Sequence, residues 1–173
     1  GKLVKRMPMV LGYSIDENIE MKLTWLQERL NLDDEQLSKI MQTSPAILSY
    51  SRTNTIEPSL EWLQNRLHLD GDTALSALIL MNPTLCGKNV ENLERTYLFY
   101  EDCIGPDEAK QLVISVPAVL TYSLDRRLIP RLEQVQEIGI HVDAALIRRM
   151  AKYTNDLWEK SVVHQTKKMN RNL

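Results

Sequence analysis

One phrase returns along this chain at nearly constant spacing, and it limits the possible folds more than any other feature. Met7-Pro8-Met9-Val10-Leu11-Gly12-Tyr13-Ser14 recurs as Ser44-Pro45-Ala46-Ile47-Leu48-Ser49-Tyr50-Ser51 and again as Val116-Pro117-Ala118-Val119-Leu120-Thr121-Tyr122-Ser123. A weaker copy, Asn82-Pro83-Thr84-Leu85-Cys86-Gly87-Lys88-Asn89, lies between the second and third. The prolines fall 37, 38 and 34 residues apart. A period of this length is the mark of a stacked array, in which each unit is too small to bury its apolar face and completes its core against its neighbours.

The residues after each phrase repeat as well. Ile19, Leu23, Leu26, Leu30 and Leu32 come after Pro8, and Ile56, Leu60, Leu63, Leu67 and Leu69 after Pro45. Spacings of three and four place these side chains on one helical face. Trp25-Leu26-Gln27 and Trp62-Leu63-Gln64 match residue for residue. A second amphipathic run closes each unit: Leu37, Ile40 and Met41; Leu75, Leu78 and Ile79; Leu112, Val113 and Val116; Leu146, Ile147 and Met150. Helix signals agree. Asp33 with Gln36, and Asn54 with Glu57, read as capping boxes. Gly105-Pro106 predicts a turn before Asp107 and Glu108, whose charges suit a helix N-terminus. Pro58 and Pro130 fall near the starts of first helices, where a missing N–H costs little. Each unit therefore reads as helix A, short turn, helix B and a proline-led connector. Proline ends helix B, the Ile-Leu or Val-Leu pair after it plugs into the core, and Tyr-Ser leads into the next cap.

The expected fold is all-α: a right- or left-handed solenoid spanning residues 1–173. It has about four two-helix repeats (1–44, 45–82, 83–116 and 117–153) and a basic C-terminal segment, 154–173. Beyond Met150 the expected proline is absent and Thr154 stands nearest its place, so the end reads as a cap or a divergent repeat. Composition agrees with helices: glycine is scarce, at 6 of 173 residues, while straight-chain residues that lose little rotamer freedom in a helix are plentiful. Two cysteines, Cys86 and Cys103, make no disulfide framework and read as free, buried thiols of a reducing compartment. No apolar run approaches the ~18 residues of a membrane span. The chain opens on Gly1 with the motif already running by Pro8, which reads as an N-terminus cut away, with any targeting peptide.

On these residues, from about Pro8 to Leu146, the chain resembles the mitochondrial transcription termination factor (mTERF) family. The resemblance rests on three good copies of the phrase and one degraded one. It implies two α-helices per repeat and a short 3₁₀ turn led by the proline. It further implies non-catalytic binding of double-stranded DNA or RNA in a mitochondrion or chloroplast, in transcription termination or regulation, RNA processing or translation. Repeat three departs from the pattern, with Lys88-Asn89 in place of Tyr-Ser and a shorter length.

Charge bears on that expectation unevenly. The net charge is −2, but residues 70–105 carry two basic and six acidic groups and residues 142–173 carry seven and three. Arg52, Lys88, Arg126 and Arg127 sit five to ten residues after their prolines and should recur along one edge of the array. Cations so placed would track phosphates; the competing reading is a solvated rim. Four repeats at roughly 10 Å per helix layer would span about 40 Å, close to one duplex turn. Arg148, Arg149, Lys152, Lys160, Lys167, Lys168 and Arg171 form a basic C-terminal set, read either as a second contact or as a charged tail. Tyr13, Tyr50 and Tyr122 recur in register, as connector packing or as platforms for bases; Trp25 and Trp62 read as core, and nothing fixes a role for Trp158.

Enzyme signatures are missing. His68, His141 and His164 are dispersed, and neither a glycine-rich phosphate loop nor zinc spacing of Cys and His occurs. Asp70-Gly71-Asp72 and Asp33-Asp34-Glu35 lack the rest of a calcium loop and read as helix caps. No catalysis, cofactor, metal or small-molecule substrate is expected. A second class of function stays open at this point: a protein-interaction solenoid binding a helix or peptide on its concave face, motivated by the acidic middle, where phosphate would be repelled.

Overall fold

The computed structural model describes residues 19–169; the first copy of the phrase, Met7 to Ser14, and Tyr13 with it, lies outside the described residues. Among the described residues nine α-helices run in order: α1 (Ile19–Arg29), α2 (Asp34–Thr43), α3 (Glu57–Arg66), α4 (Gly71–Met81), α5 (Val90–Ile104), α6 (Pro106–Ser115), α7 (Ile129–Glu137), α8 (Ala144–Lys152) and α9 (Asn155–Met169). No strand occurs among them. The first eight helices pair two to a unit, as an mTERF-like solenoid of two-helix repeats requires.

Each described proline phrase is a five-residue 3₁₀ turn, here called a corner: Pro45–Ser49, Pro83–Gly87 and Pro117–Thr121. Helix B ends two residues before each proline, and the intervening Ser44, Asn82 and Val116 leave the helical region, with φ near −140° and ψ of 67–83°. The proline ring disfavours helical backbone at the residue before it. Ile47, Leu85 and Val119 then plunge into the core, each at most 1% exposed. Burying one such side chain contributes about 2 kcal/mol, more than a turn with poor internal hydrogen bonds could supply.

Six residues after each corner proline stands the cap of the next helix A: Ser51, Asn89 and Ser123, each accepting from the backbone N–H three residues on at 3.2 Å. Asn89 therefore does in the third unit what serine does in the others. The capping box expected at Asn54 and Glu57 does not form. Asn54 is a donor to Ser51, and Glu57 is bound to Arg29. The Asp33–Gln36 box does form, with both reciprocal bonds present.

Between Ser51 and α3, and again between Ser123 and α7, one turn opens to π geometry, Arg52–Ile56 and Leu124–Leu128. Pro58 and Pro130 explain it. A proline ring collides with the carbonyl four residues back, and widening the turn relieves the collision. In the third unit Thr96 occupies the equivalent position, and α5 runs as regular α-helix from Val90.

Helix A turns into helix B through a left-handed residue in three units: Asn31 (φ 47°), His68 (φ 47°) and Gly139 (φ 69°). The next residue, Leu32, Leu69 or Ile140, reaches back to a carbonyl five residues earlier at 2.9–3.0 Å. This doubly bonded ending satisfies carbonyls the helix would leave open. The third unit replaces that turn with Gly105 alone, at φ 84°, between Ile104 and Pro106. Most of its shorter length is lost here.

The core is one continuous cluster from Leu23 to Trp158, and consecutive corners pack against one another along it. The Tyr50 ring of the first corner lies over Gly87 of the second, where a β-carbon would overlap its ring atoms. Trp25 and Trp62, expected in the core, are only packed against it. Each indole face or N–H meets a polar partner: the Arg52 guanidinium lies 4.8 Å from the Trp25 ring, and Trp62 Nε1–H donates to Glu94 at 2.6 Å. Trp158 does the opposite and is buried, docking α9 against α7 with its N–H on Gln134 at 2.7 Å.

Gly87→Ala should cost about 1–3 kcal/mol in urea unfolding, because the Tyr50 ring has to leave its seat between two corners. A second expectation comes from Cys86, fully buried and free, whose thiol burial pushes from 9.0 up to about 12. Proton retention by the folded form then favours folding: the contribution is whole below about pH 9 and is lost as pH climbs toward 12. Urea midpoints measured across that range should fall, and fall less in Cys86→Ala.

Candidate nucleic-acid interface

Four polar side chains determine how the candidate cations are displayed, because they hold the corners in place. Lys22 on α1 donates to the Leu48 and Tyr50 carbonyls at 2.8 and 2.7 Å. Ser59 on α3 donates to Leu85 O at 2.6 Å, and Tyr100 on α5 to Val119 O at 2.8 Å. Burial raises the Tyr100 pKa far above the ordinary phenol value, so the hydroxyl stays a donor. Each helix A thus clamps the carbonyls of the corner beyond it.

The fourth clamp is Arg131, 4% exposed on α7. No proline corner comes after α8, and Arg131 takes over the loose carbonyls there. It donates to Met150 O and Tyr153 O at 2.5 and 2.9 Å and to Asn155 Oδ1 at 2.8 Å, while lying over the Trp158 ring at 5.2 Å. Burial, and then the charge of Arg127, lower its pKa. Among the described residues no carboxylate pairs with it; the partial negative charge of the α8 C-terminus is its counter-charge. Thr154, nearest the missing proline, accepts from Leu157 N–H at 3.4 Å and begins α9.

The first candidate set lies where the corners pass into the next helix A. Arg52 is exposed and stacked on Trp25. Arg126 is exposed, beside the Ser123 cap. Lys88 is half-buried, one residue before the Asn89 cap. Arg127 is engaged structurally: its guanidinium donates to Ala151 O at 2.9 Å and covers the Tyr122 ring at 5.1 Å. Of the C-terminal set, Arg148 is exposed and bonded to Ser115 at 3.0 Å, Arg149 is half-buried, and Lys152 and Lys160 are exposed. The side chains of Lys167 and Lys168, and all of Arg171, lie outside the described residues. Tyr50 and Tyr122 are half-buried packing residues of the corners.

Grooves run between successive units on this edge. One, of about 350 Å³, is lined by Asn54, Pro58, Gly87, Lys88, Asn89 and Glu91, among others. Its repeat-equivalent, of about 360 Å³, lies one unit on, with Asn92, Thr96, Thr121, Tyr122, Ser123 and Asp125 at the matching positions.

The acidic residues of 70–105 are partly engaged elsewhere. Asp72 and Glu57 bind Arg29 at 3.3 and 2.9 Å, and Glu94 and Glu101 bind Arg66 at 3.4 and 2.5 Å. Burial alone would lower the Arg66 pKa, but the Glu101 hydrogen bond and charge, backed by Glu94, raise it. Sequence reasoning missed this role for Arg29 and Arg66, although both stand twenty-one residues after a phrase proline and so share one register. Three of the six acids of the segment that favoured a protein partner, Asp72, Glu94 and Glu101, thus tie one unit to the next. Among the described residues no cluster of His, Cys, Asp or Glu could hold a metal, and no helix is long and apolar enough to cross a membrane.

Stacked two-helix units with clamped corners and an edge of grooves define a helical-repeat scaffold. A family model described as mTERF matches residues 1–157, and the chain belongs to the mTERF family. No curated protein matches it. Family members are characteristically non-catalytic nucleic-acid-binding proteins, typically organellar, so membership implies a nucleic-acid-binding role and no enzyme activity.

Arg131→Leu should cost about 3 kcal/mol or more, because it strips several buried or half-buried acceptors of their donor at once. With Trp25 and Trp62 replaced by Phe, the emission of Trp158 should shift red as α9 loosens. An unshifted spectrum would mean that α9 docks without this clamp.

Proposed function

We propose that this protein binds double-stranded DNA or RNA through the corner edge of its repeat array, acting without catalysis in mitochondrial or chloroplast gene expression, in transcription termination or regulation or in RNA processing. The observation that carries the reading is the recurrence of one arrangement from unit to unit: a capped helix start, a groove, and a cation at or beside it. Arg52, Lys88 and Arg126 supply that cation in successive units, and the N-terminal ends of α3, α5 and α7 add partial positive charge on the same edge. Arg148, Lys152 and Lys160 continue the positive charge toward the C-terminal end, where Lys167, Lys168 and Arg171 come next in the sequence.

Such a surface contacts phosphates and has little with which to read bases. Arg52 lies over Trp25, and the corner tyrosines are used in packing. Affinity should therefore come from counterion release, with modest sequence preference. Anisotropy titrations with short duplex DNA and duplex RNA should show log K falling linearly with log salt. Arg52→Gln and Arg126→Gln should each lower the slope by about 1 and weaken all sequences alike. Absence of binding to either duplex at about 50 mM salt would sink the reading.

A further inference from the structure

The two repeat-equivalent grooves differ in a way that singles one of them out. Register places Lys88 where the first corner has Tyr50, both five residues after the corner proline, and Arg95 where the preceding helix A has Glu57, both twelve after. In the earlier groove Tyr50 covers Gly87, and Glu57 is held by Arg29. In the later one Lys88 and Arg95 themselves line the cavity, and Thr121 stands in the glycine's place. Lys88 also lines the earlier groove, from its other side, where the later one has Tyr122, so the cation gained at the later joint is Arg95 in place of Glu57.

The rest of that cavity is polar. Asn92 and Thr121 line it, the Thr121 hydroxyl donating to Ala118 O at 2.7 Å, with Tyr122 and Ser123 beside them, and Leu120 is an apolar wall. Among the described residues Lys88 pairs with no carboxylate. Asp125 is the one acid among the lining residues described, and its ion pair with Arg95, 3.1 Å long, is half or more exposed on both sides. Exposed pairs of this kind contribute little, because solvent screens them, so an incoming oxyanion can replace Asp125 on Arg95 at small cost.

We propose that this joint between the second and third corners is a phosphate pocket, with Lys88 and Arg95 as its cations and Asn92 as a neutral donor. A phosphate ester of about this size is taken either from a nucleic-acid strand lying along the edge or from a free nucleotide. The inference rests on the nucleic-acid reading for one source of the phosphate but not for the pocket itself.

The test uses the whole chain, labelled for amide NMR, with inorganic phosphate and adenosine monophosphate as probes and duplex anisotropy in parallel. Saturable shifts at the Asn92, Thr121 and Ser123 amides are expected. They should be lost in Lys88→Tyr, which restores the residue of the neighbouring corners, and in Arg95→Gln, with unfolding midpoints unchanged. Both variants should weaken duplex binding about 3- to 10-fold and lower the salt slope by about 1. Asp125→Asn should tighten phosphate severalfold. Shifts absent with both probes, or persisting in both variants, overturn the pocket; if duplex binding is then unaffected by the variants, the nucleic-acid reading survives alone. Phosphate shifts that vanish in Lys88→Tyr in a chain that binds neither duplex establish the pocket with a free phosphate as its source and remove the nucleic-acid reading.

Discussion

A 3₁₀ turn leaves carbonyls that its own backbone cannot satisfy, and this array depends on how they are answered. In each unit a side chain from the helix before the corner reaches across and donates to it: Lys22, Ser59, Tyr100 and, beyond the last proline, Arg131. The chemistry differs every time while the geometry is kept. Three of the four share a register, fourteen residues after a phrase proline; in the third unit Tyr97 holds that register and Tyr100, nearly one turn on, makes the bond. A buried carbonyl without a donor costs about 1–3 kcal/mol, so each clamp fixes the angle at which one unit meets the next. The grooves and the cations beside them inherit that angle.

The proline phrase and the three-four spacing of leucines make the architecture readable in one dimension, because both act locally: a ring that stops a helix and a stripe that must be buried. The caps are half readable. Asp33 with Gln36 forms its box, but Asn54 with Glu57 does not, since the turn is capped earlier, at Ser51, the register that Asn89 and Ser123 hold in the next units. Trp158 has no counterpart elsewhere in the sequence, and its burial comes from a helix that replaces a corner. The clamps are readable only as a position: Lys22, Ser59 and Arg131 share a register but no chemistry, Tyr100 lies outside that register, and only the fold shows that all four meet the same kind of acceptor.

The candidate surface is legible in part for a similar reason. Distance from the proline correctly puts Arg52, Lys88 and Arg126 near the helix starts, but it cannot show that Arg127 turns inward to the end of α8. Nor can net charge by segment show which acids are available. Glu94 and Glu101 count against anion binding in a tally, yet in space both are ion-paired with Arg66. Charge that holds an array together and charge that faces a partner look alike along a sequence.

The third unit turns on Gly105 alone where its neighbours use four residues, Leu67 to Asp70, or six, Ile138 to Asp143. Its helices α5 and α6 consequently have the shortest link of any helix pair within a described unit. A ruler with one short division cannot keep step with a polymer whose charges are evenly spaced. Contact made in phase on one side of that division must be out of phase on the other, unless the polymer or the ruler bends. Gly105 therefore marks where any such mismatch has to be absorbed, and it sits within the unit that carries the most cationic groove.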